Sequence, residues 1–310
     1  MNDIIFRTLI PIIILIGTGT LSRKIGVLKA GDERVLSAYV YFFALPALFF
    51  VNMSEINLVK ESCGFILSAI FPVFFASFLI YIISKILRLK RDSLYLLIFS
   101  TIFGSVAFFG IPFVMFAFPT RQSENLATLA AASISLIAVP ISIIVLEIYK
   151  LGESSIWKGI KEVTFRLSKN PIIFSIIAGI LLSIFNLDLP DPISTALHML
   201  GGTTSAVAIF MLGVFLYGRK YGNILKAAEL SLLRIIFLPL IALFAVELLN
   251  LEYLEKSIVI LMHSSPIAVS TIVLSERYNF YKEVIASLVL ISTIGAGLYL
   301  NLWLLILGIY

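Results

Sequence analysis

Apolar blocks of about 20 residues recur along the whole sequence, and each is long enough to cross roughly 30 Å of hydrocarbon as an α-helix. Of the 310 residues, 60% are hydrophobic and only 13% are charged, against roughly 45–50% and about 25% in soluble domains. A transmembrane β-barrel would instead show alternating segments of about ten residues. The pattern therefore predicts an all-α polytopic membrane protein whose surroundings are a lipid bilayer. No nucleic-acid partner is expected from the net charge of +5.

Ten transmembrane helices fit these blocks. They cover residues 3–22, 34–53, 62–87, 94–118, 126–149, 171–187, 193–217, 229–250, 256–276 and 282–308. Lys and Arg are distributed very unevenly over the gaps between these spans, because 18 of the 23 fall in odd-numbered gaps and only Lys60, Arg121 and Lys256 in even ones. By the positive-inside rule the odd gaps are cytoplasmic. We therefore expect a multi-pass protein of the cell membrane with both termini extracytoplasmic.

Five spans in each half of the chain would give the two halves opposite orientations, which is an inverted-topology repeat. We expect the first five-helix repeat in residues 1–150 and the second in 171–310, joined by a cytoplasmic linker at 151–170. Prolines support the correspondence, since Pro112 in the fourth span matches Pro266 in the ninth.

Proline inside a membrane helix removes a backbone donor and crowds the preceding turn, so these two spans are predicted to be broken and crossed. Exposed backbone groups are tolerated in a membrane where they face protein or line a cavity, as in the discontinuous helices of transporters. Gly110 and Pro112 are the predicted breaking pair of the fourth span. The candidate substrate-binding residues at the two breaks are Ser105, Gly110, Pro112, Ser264, Ser265, Pro266, Ser270 and Thr271.

The sequence places no Lys or Arg near the centre of any predicted span, so an anion would be held by freed backbone N–H groups, helix N-termini and hydroxyls. Each hydroxyl can equally bond only a carbonyl of its own helix. His263 is the candidate for proton coupling, and the alternative is a neutral histidine hydrogen-bonded within the bundle. The single cysteine, Cys63, excludes a cysteine-cluster metal site, and no metal, cofactor or enzymatic motif is found.

Three segments resemble the auxin efflux carrier family, short-loop prokaryotic type, within the bile-acid and auxin carrier superfamily. Residues 41–50 (YFFALPALFF) are similar to the aromatic-rich segment of the family, and residues 105–113 are similar to its first crossover, with Phe108, Gly110 and Pro112 matching. Residues 266–279 are similar to its proline-centred second crossover. The chain departs from the family pattern at Ser105 and Thr271, where asparagine and proline are common.

The resemblance implies a secondary transporter that moves a small organic anion, such as an auxin-like or dicarboxylic acid, by elevator-type alternating access. It also implies a scaffold of spans 1, 2, 6 and 7, a transport domain of spans 3–5 and 8–10, and a homodimer formed through the scaffold. Efflux driven by the membrane potential is the simplest mechanism. Two alternatives stay open, namely a proton- or sodium-coupled symporter and a non-transporting receptor or sensor of an organic acid on the same fold.

Overall fold

The computed structural model of the chain describes residues 2–55, 63–151, 170–218 and 221–308, and these are almost entirely helical. The α-helices are α1 (Asn2–Lys24), α2 (Glu33–Tyr39), α3 (Leu45–Glu55), α4 (Cys63–Ile86), α5 (Arg91–Ile102), α6 (Ile111–Ala117), α7 (Arg121–Leu151), α8 (Pro171–Ile184), α9 (Asp191–Leu216), α10 (Ile224–Leu232), α11 (Leu238–Leu248), α12 (Tyr253–His263), α13 (Ser270–Tyr278) and α14 (Lys282–Ile306). The prediction of an all-α polytopic membrane protein is confirmed. Six continuous helical stretches in the described ranges are long and apolar enough to span a membrane.

The predicted fourth and ninth spans are each divided into two shorter helices, α5 with α6 and α12 with α13. The described residues therefore form six long spans with additional short apolar helices, and the inverted repeat stays a prediction. Nearly all of the predicted linker at 151–170 lies outside the described residues.

Within the described residues, three π-helical turns widen the bundle helices, and each ends two residues before a proline. They are Val40–Ala44 before Pro46, Val106–Gly110 before Pro112, and Leu233–Phe237 before Pro239. A proline ring collides with the carbonyl four residues earlier and donates no hydrogen bond to it. In each case the residue before the proline instead donates to the carbonyl five residues back, for example Leu238 to Leu233. The helix therefore passes each proline by widening, without breaking.

Helices α1, α3, α8 and α9 pack closely on one another through glycines. A Cβ atom on Gly19 would lie 2.1 Å from the Phe210 carbonyl oxygen, and one on Gly213 would lie 2.1 Å from that of Ile16. Gly179 and Gly201 approach the backbone of α3 in the same way. Small residues at helix contacts let backbones come together, which is the main source of packing energy between helices in a membrane.

The other helices form a second packed group around the interrupted helices. Helix α4 contacts α11 and α7, α10 contacts α14, and α12 contacts α7 and α11. The buried side chains of this group include Phe99, Phe109, Phe280 and Arg234. A fully buried arginine among aromatic and aliphatic side chains is exceptional, and it marks the region where the interrupted helices meet.

Candidate functional site

The two interrupted helices cross at short extended segments that pair with each other. Gly104 and Ile267 form an isolated antiparallel bridge. The Ser105 N–H donates to the Pro266 carbonyl at 2.7 Å, and the Ala268 N–H donates to the Phe103 carbonyl at 3.1 Å. The pairing satisfies backbone groups that a helix break would otherwise leave bare inside a membrane.

The break before α6 lies at Phe103–Ser105 and not at the predicted pair Gly110 and Pro112. Gly110 belongs to the π turn, and Pro112 occupies the beginning of α6, where its fixed φ angle and missing N–H are compatible with a helix. The predicted position was therefore wrong by about two helical turns. The second break is found where Pro266 predicts it, between the end of α12 at His263 and the start of α13 at Ser270.

Most of the candidate hydroxyls at the second break bond carbonyls of their own segment. Ser264 Oγ donates to the Ile260 carbonyl at 2.8 Å, Ser265 Oγ to that of Met262 at 2.8 Å, and Thr271 Oγ1 to that of Ala268 at 2.6 Å. Ser270 differs, because it is exposed at the first residue of α13. Ser105 is buried at the crossing itself and contributes its backbone N–H.

His263 is completely buried at the last residue of α12. Its Nε2 lies 2.9 Å from the Ala69 carbonyl oxygen. Since a carbonyl only accepts, Nε2 carries the proton, and a neutral ring then leaves Nδ1 as an acceptor. Nδ1 has no hydrogen-bond partner among the described residues. The role of His263 in proton coupling stays a prediction.

Arg234 is the functional candidate that the sequence did not reveal. Placing the eighth span at 229–250 put it near a helix end, whereas the helix begins at Ile224 and carries Arg234 well into the bundle. The expectation that no Lys or Arg lies deep in a span is therefore wrong. The signal available in the sequence was a lone arginine five residues before Pro239 in an apolar segment.

The guanidinium of Arg234 reaches across to both breaks. Its Nε donates to the Ser265 carbonyl at 2.9 Å, and its Nη1 donates to the Thr101 carbonyl at 3.1 Å. Its Nη2 donates to Ser265 Oγ at 3.0 Å. Weaker contacts reach the carbonyls of Ile102 at 3.4 Å and Met262 at 3.5 Å. These oxygens lie at or next to the C-terminal ends of α5 and α12, where carbonyls lack helical partners and carry partial negative charge.

The opposite ends of the same breaks are helix N-termini. The helix that begins with the π turn at Val106 and helix α13, beginning at Ser270, both start at the crossover. The first turn of a helix presents N–H groups without helical acceptors and partial positive charge, which is suited to an anion. Because Arg234 occupies the C-terminal carbonyls, the crossover presents a positive charge and two helix N-termini.

A membrane-embedded crossover of two interrupted helices, with helix ends directed at a common point, is the architecture of a secondary transporter. The comparison with family models agrees with this class, since the model described as "Membrane transport protein" matches residues 4–156 and 118–304. The chain belongs to this family, the auxin efflux carrier family. The resemblance noted from the sequence motifs is thereby confirmed, and the protein is a membrane transporter and not an enzyme.

Several relatives align with nearly the full length of the chain at low identity. An uncharacterized transporter of Methanocaldococcus jannaschii, MJ1031, is 26% identical over 94% of this chain and 95% of its own. The uncharacterized transporter YfdV of Escherichia coli (strain K12) is 25% identical over 96% of this chain and 95% of its own. The lysosomal cholesterol signaling protein of Mus musculus is 25% identical over 97% of this chain but only 37% of its own.

Proposed function

We propose that the protein is a secondary transporter that carries a small organic anion, with the helix crossover as its substrate site. The observation that supports this most directly is the electrostatic character of the crossover. Two helices have their N-termini there, and Arg234 adds a full positive charge. An auxin-like or dicarboxylic acid has the carboxylate that such a site attracts.

No carboxylate of the described residues pairs with the charge of Arg234. Every hydrogen-bond acceptor of its guanidinium is a carbonyl or hydroxyl oxygen. Among the described residues Glu147 is the buried carboxylate, and it accepts a hydrogen bond from Tyr278. A buried charge without a counter-ion is costly, so an anion bound beside the crossover would be stabilised by neutralising it.

The packing of the helices supports a division into a scaffold of spans 1, 2, 6 and 7 and a transport domain of spans 3–5 and 8–10. The scaffold helices touch through glycines at backbone distance, as shown by Gly19 and Gly213. Contacts between the two groups include polar pairs. Asn52 on α3 donates to Thr128 on α7 at 2.9 Å, and Glu55 on α3 pairs with Arg121 on α7. Polar contacts of this kind can exchange partners when one group slides past the other.

The membrane potential is the simplest energy source for transport, and it would drive efflux of an anion. Moving one elementary charge through 100 mV is worth about 2.3 kcal/mol, so an anion leaves an inside-negative cell without a coupled ion. Coupling to a proton through His263, or to sodium, would instead move substrate inward. A homodimer formed through the scaffold completes the proposal.

Counterflow of labelled organic acids in proteoliposomes tests the carrier proposal. The membrane potential is clamped with potassium and valinomycin, and flux is compared at two external pH values. We expect saturable, voltage-dependent exchange that is lost in Pro266→Ala and reduced in Ser270→Ala. Pro140→Ala and Ser77→Ala are the matched controls, because Pro140 lies inside α7 and Ser77 Oγ donates to the carbonyl of Val73 in its own helix. Full exchange in both crossover variants would show that the substrate site does not lie at the crossover.

A receptor of an organic acid is the second candidate, and one observation favours it. A relative over the length of this chain is, by its name, a lysosomal cholesterol signaling protein. Absence of flux for every acid tested, in protein that an acid still stabilises against thermal unfolding, would favour this alternative. The same experiment therefore separates the two functions.

A further inference from the structure

The oxygens around Arg234 form a cage with the composition of a cation-binding site. Four are backbone carbonyl oxygens, from Thr101, Ile102, Met262 and Ser265, and the fifth is Ser265 Oγ. A guanidinium carries five N–H donors, and here each finds an acceptor. Backbone carbonyls at helix C-termini are also the groups with which interrupted membrane helices hold small inorganic cations.

The cage would be unfavourable if it were empty. Thr101 and Ile102 end α5, and Met262 lies in the last turn of α12, so these carbonyls lack some of their helical donors. The four residues that supply the cage oxygens are all buried, and Gly104 beside the cage is half-buried. Two helix C-termini that meet around one guanidinium also repel through their partial charges. A cation between them removes both penalties.

The surrounding backbone leaves space for the Arg234 side chain. A Cβ atom on Gly104 would lie 1.6 Å from Arg234 Nη2 and 2.1 Å from Cζ, so only glycine leaves room for the guanidinium. On the other side, Arg234 lies in the π turn before Pro239. The carbonyl of Ile235, which Pro239 cannot serve, accepts a hydrogen bond from Trp303 Nε1 at 3.0 Å. The widened turn that presents Arg234 is thereby fixed by α14.

We propose that the two interrupted helices enclose a site for a monovalent cation, and that Arg234 fills this site permanently with its own guanidinium. The tethered cation replaces a bound inorganic cation, so the folded crossover needs neither sodium nor potassium. Its five donors are fully used by the cage, so the guanidinium acts on an anion through its charge and not as a direct ligand. This last consequence rests on the proposed transport function, whereas the occupancy of the cage does not.

Removal of the side chain should leave a site that a free cation can occupy. The test uses purified full-length Arg234→Ala and measures thermal unfolding in detergent with added guanidinium, methylguanidinium, sodium or choline chloride in the millimolar range. We expect a saturable rise in the apparent Tm with guanidinium, as for any ligand that binds only the folded state. Choline, which is too large for the cage, should have no effect.

Wild-type protein and Arg91→Ala are the matched controls. Arg91 stacks on Tyr95 at the exposed start of α5, so its loss leaves the cage filled. Neither control should be stabilised by guanidinium, and urea at the same concentrations should stabilise none of the proteins. If folded Arg234→Ala responds equally to guanidinium and choline, the cage is not a cation site and the proposal is overturned.

A second variant covers the case in which Arg234→Ala does not fold by itself. Arg234→Lys keeps the positive charge with three donors and should fold. Recovery of monodisperse Arg234→Ala by purification in guanidinium, but not in urea, supports the cage. Failure of that recovery while Arg234→Lys folds normally overturns it.

Transport measurements separate this proposal from the carrier function. Counterflow by the wild type should be unchanged when sodium is replaced by choline, and a strict sodium requirement would contradict a permanently filled cage. Stabilisation of Arg234→Ala by guanidinium in protein that shows no flux for any acid would instead support the cage and count against the carrier.

Discussion

Gly104→Ala should be among the most destabilising single-methyl additions in this protein. The new Cβ would lie 1.6 Å from Arg234 Nη2, 2.1 Å from Cζ and 2.8 Å from Nε, so it overlaps the whole guanidinium. Gly104 does not have a positive φ angle, and alanine is therefore compatible with the backbone itself. The entire cost comes from displacing the guanidinium.

The magnitude follows from the bonds that the guanidinium would lose. Each hydrogen bond to a charged group contributes about 1.5–3 kcal/mol, and a buried charge left without partners costs about 3–5 kcal/mol. The backbone on both sides of Gly104 is fixed, because Phe103 pairs with Ala268 and Ser105 pairs with Pro266, so the segment cannot easily move away. We expect Gly104→Ala to lower the free energy of unfolding by about 3–5 kcal/mol.

A double-mutant cycle with Arg234→Ala measures the effect directly. Chemical or thermal unfolding in detergent gives the stability of the wild type, both single variants and the double variant. Once Arg234 is shortened, the Cβ at position 104 has space, so the double variant should be more stable than additivity predicts by about 2–3 kcal/mol. Gly202→Ala is the control, because a Cβ there meets nothing within 4 Å and alanine favours the helix by up to about 1 kcal/mol. Effects of Gly104→Ala and Arg234→Ala that add within about 0.5 kcal/mol would refute the reasoning.

Three further measurements address other parts of the structure. His263→Gln keeps a donor for the Ala69 carbonyl but cannot titrate, so any pH dependence of counterflow between about pH 5 and 8 should disappear, and an unchanged pH profile would make His263 purely structural. Trp303→Phe removes the donor to the Ile235 carbonyl and should cost about 1–3 kcal/mol in unfolding experiments; an unaltered stability would mean that the π turn does not depend on α14. Cys63, the single cysteine, is exposed at the start of α4, and a membrane-impermeant maleimide should label it from outside intact cells; labelling only after permeabilisation would invert the proposed topology.

The sequence by itself determined the membrane class and the approximate location of the long helices that the structure describes. Hydrophobic blocks of spanning length leave only helices with internally satisfied backbones as a solution, and the family motifs led to the correct family. Pro266 also located the second break correctly, because a proline that interrupts a helix acts on its immediate neighbours.

The position of the first break could not be taken from proline alone. Pro112 lies at the start of α6 behind a π turn, and the chain leaves its helical path at Gly104 instead. At three places in the described part of the chain a widened turn accommodates a proline, so a proline in a span indicates a local distortion without specifying a break. Whether a proline widens the helix or breaks it depends on what packs against that turn.

Only the tertiary structure brought Arg234 to the crossover. Its acceptor Thr101 lies in α5 and its acceptor Ser265 lies just after the end of α12, more than 100 and about 30 residues away along the chain. No spacing rule connects positions so far apart. The arginine is favourable there because its charge stabilises the carbonyls of two helix C-termini. Those C-termini come together only after the helices have crossed. Sequence therefore specifies the helices and the distortions within them, whereas the charge of the site arises from how the distorted helices meet.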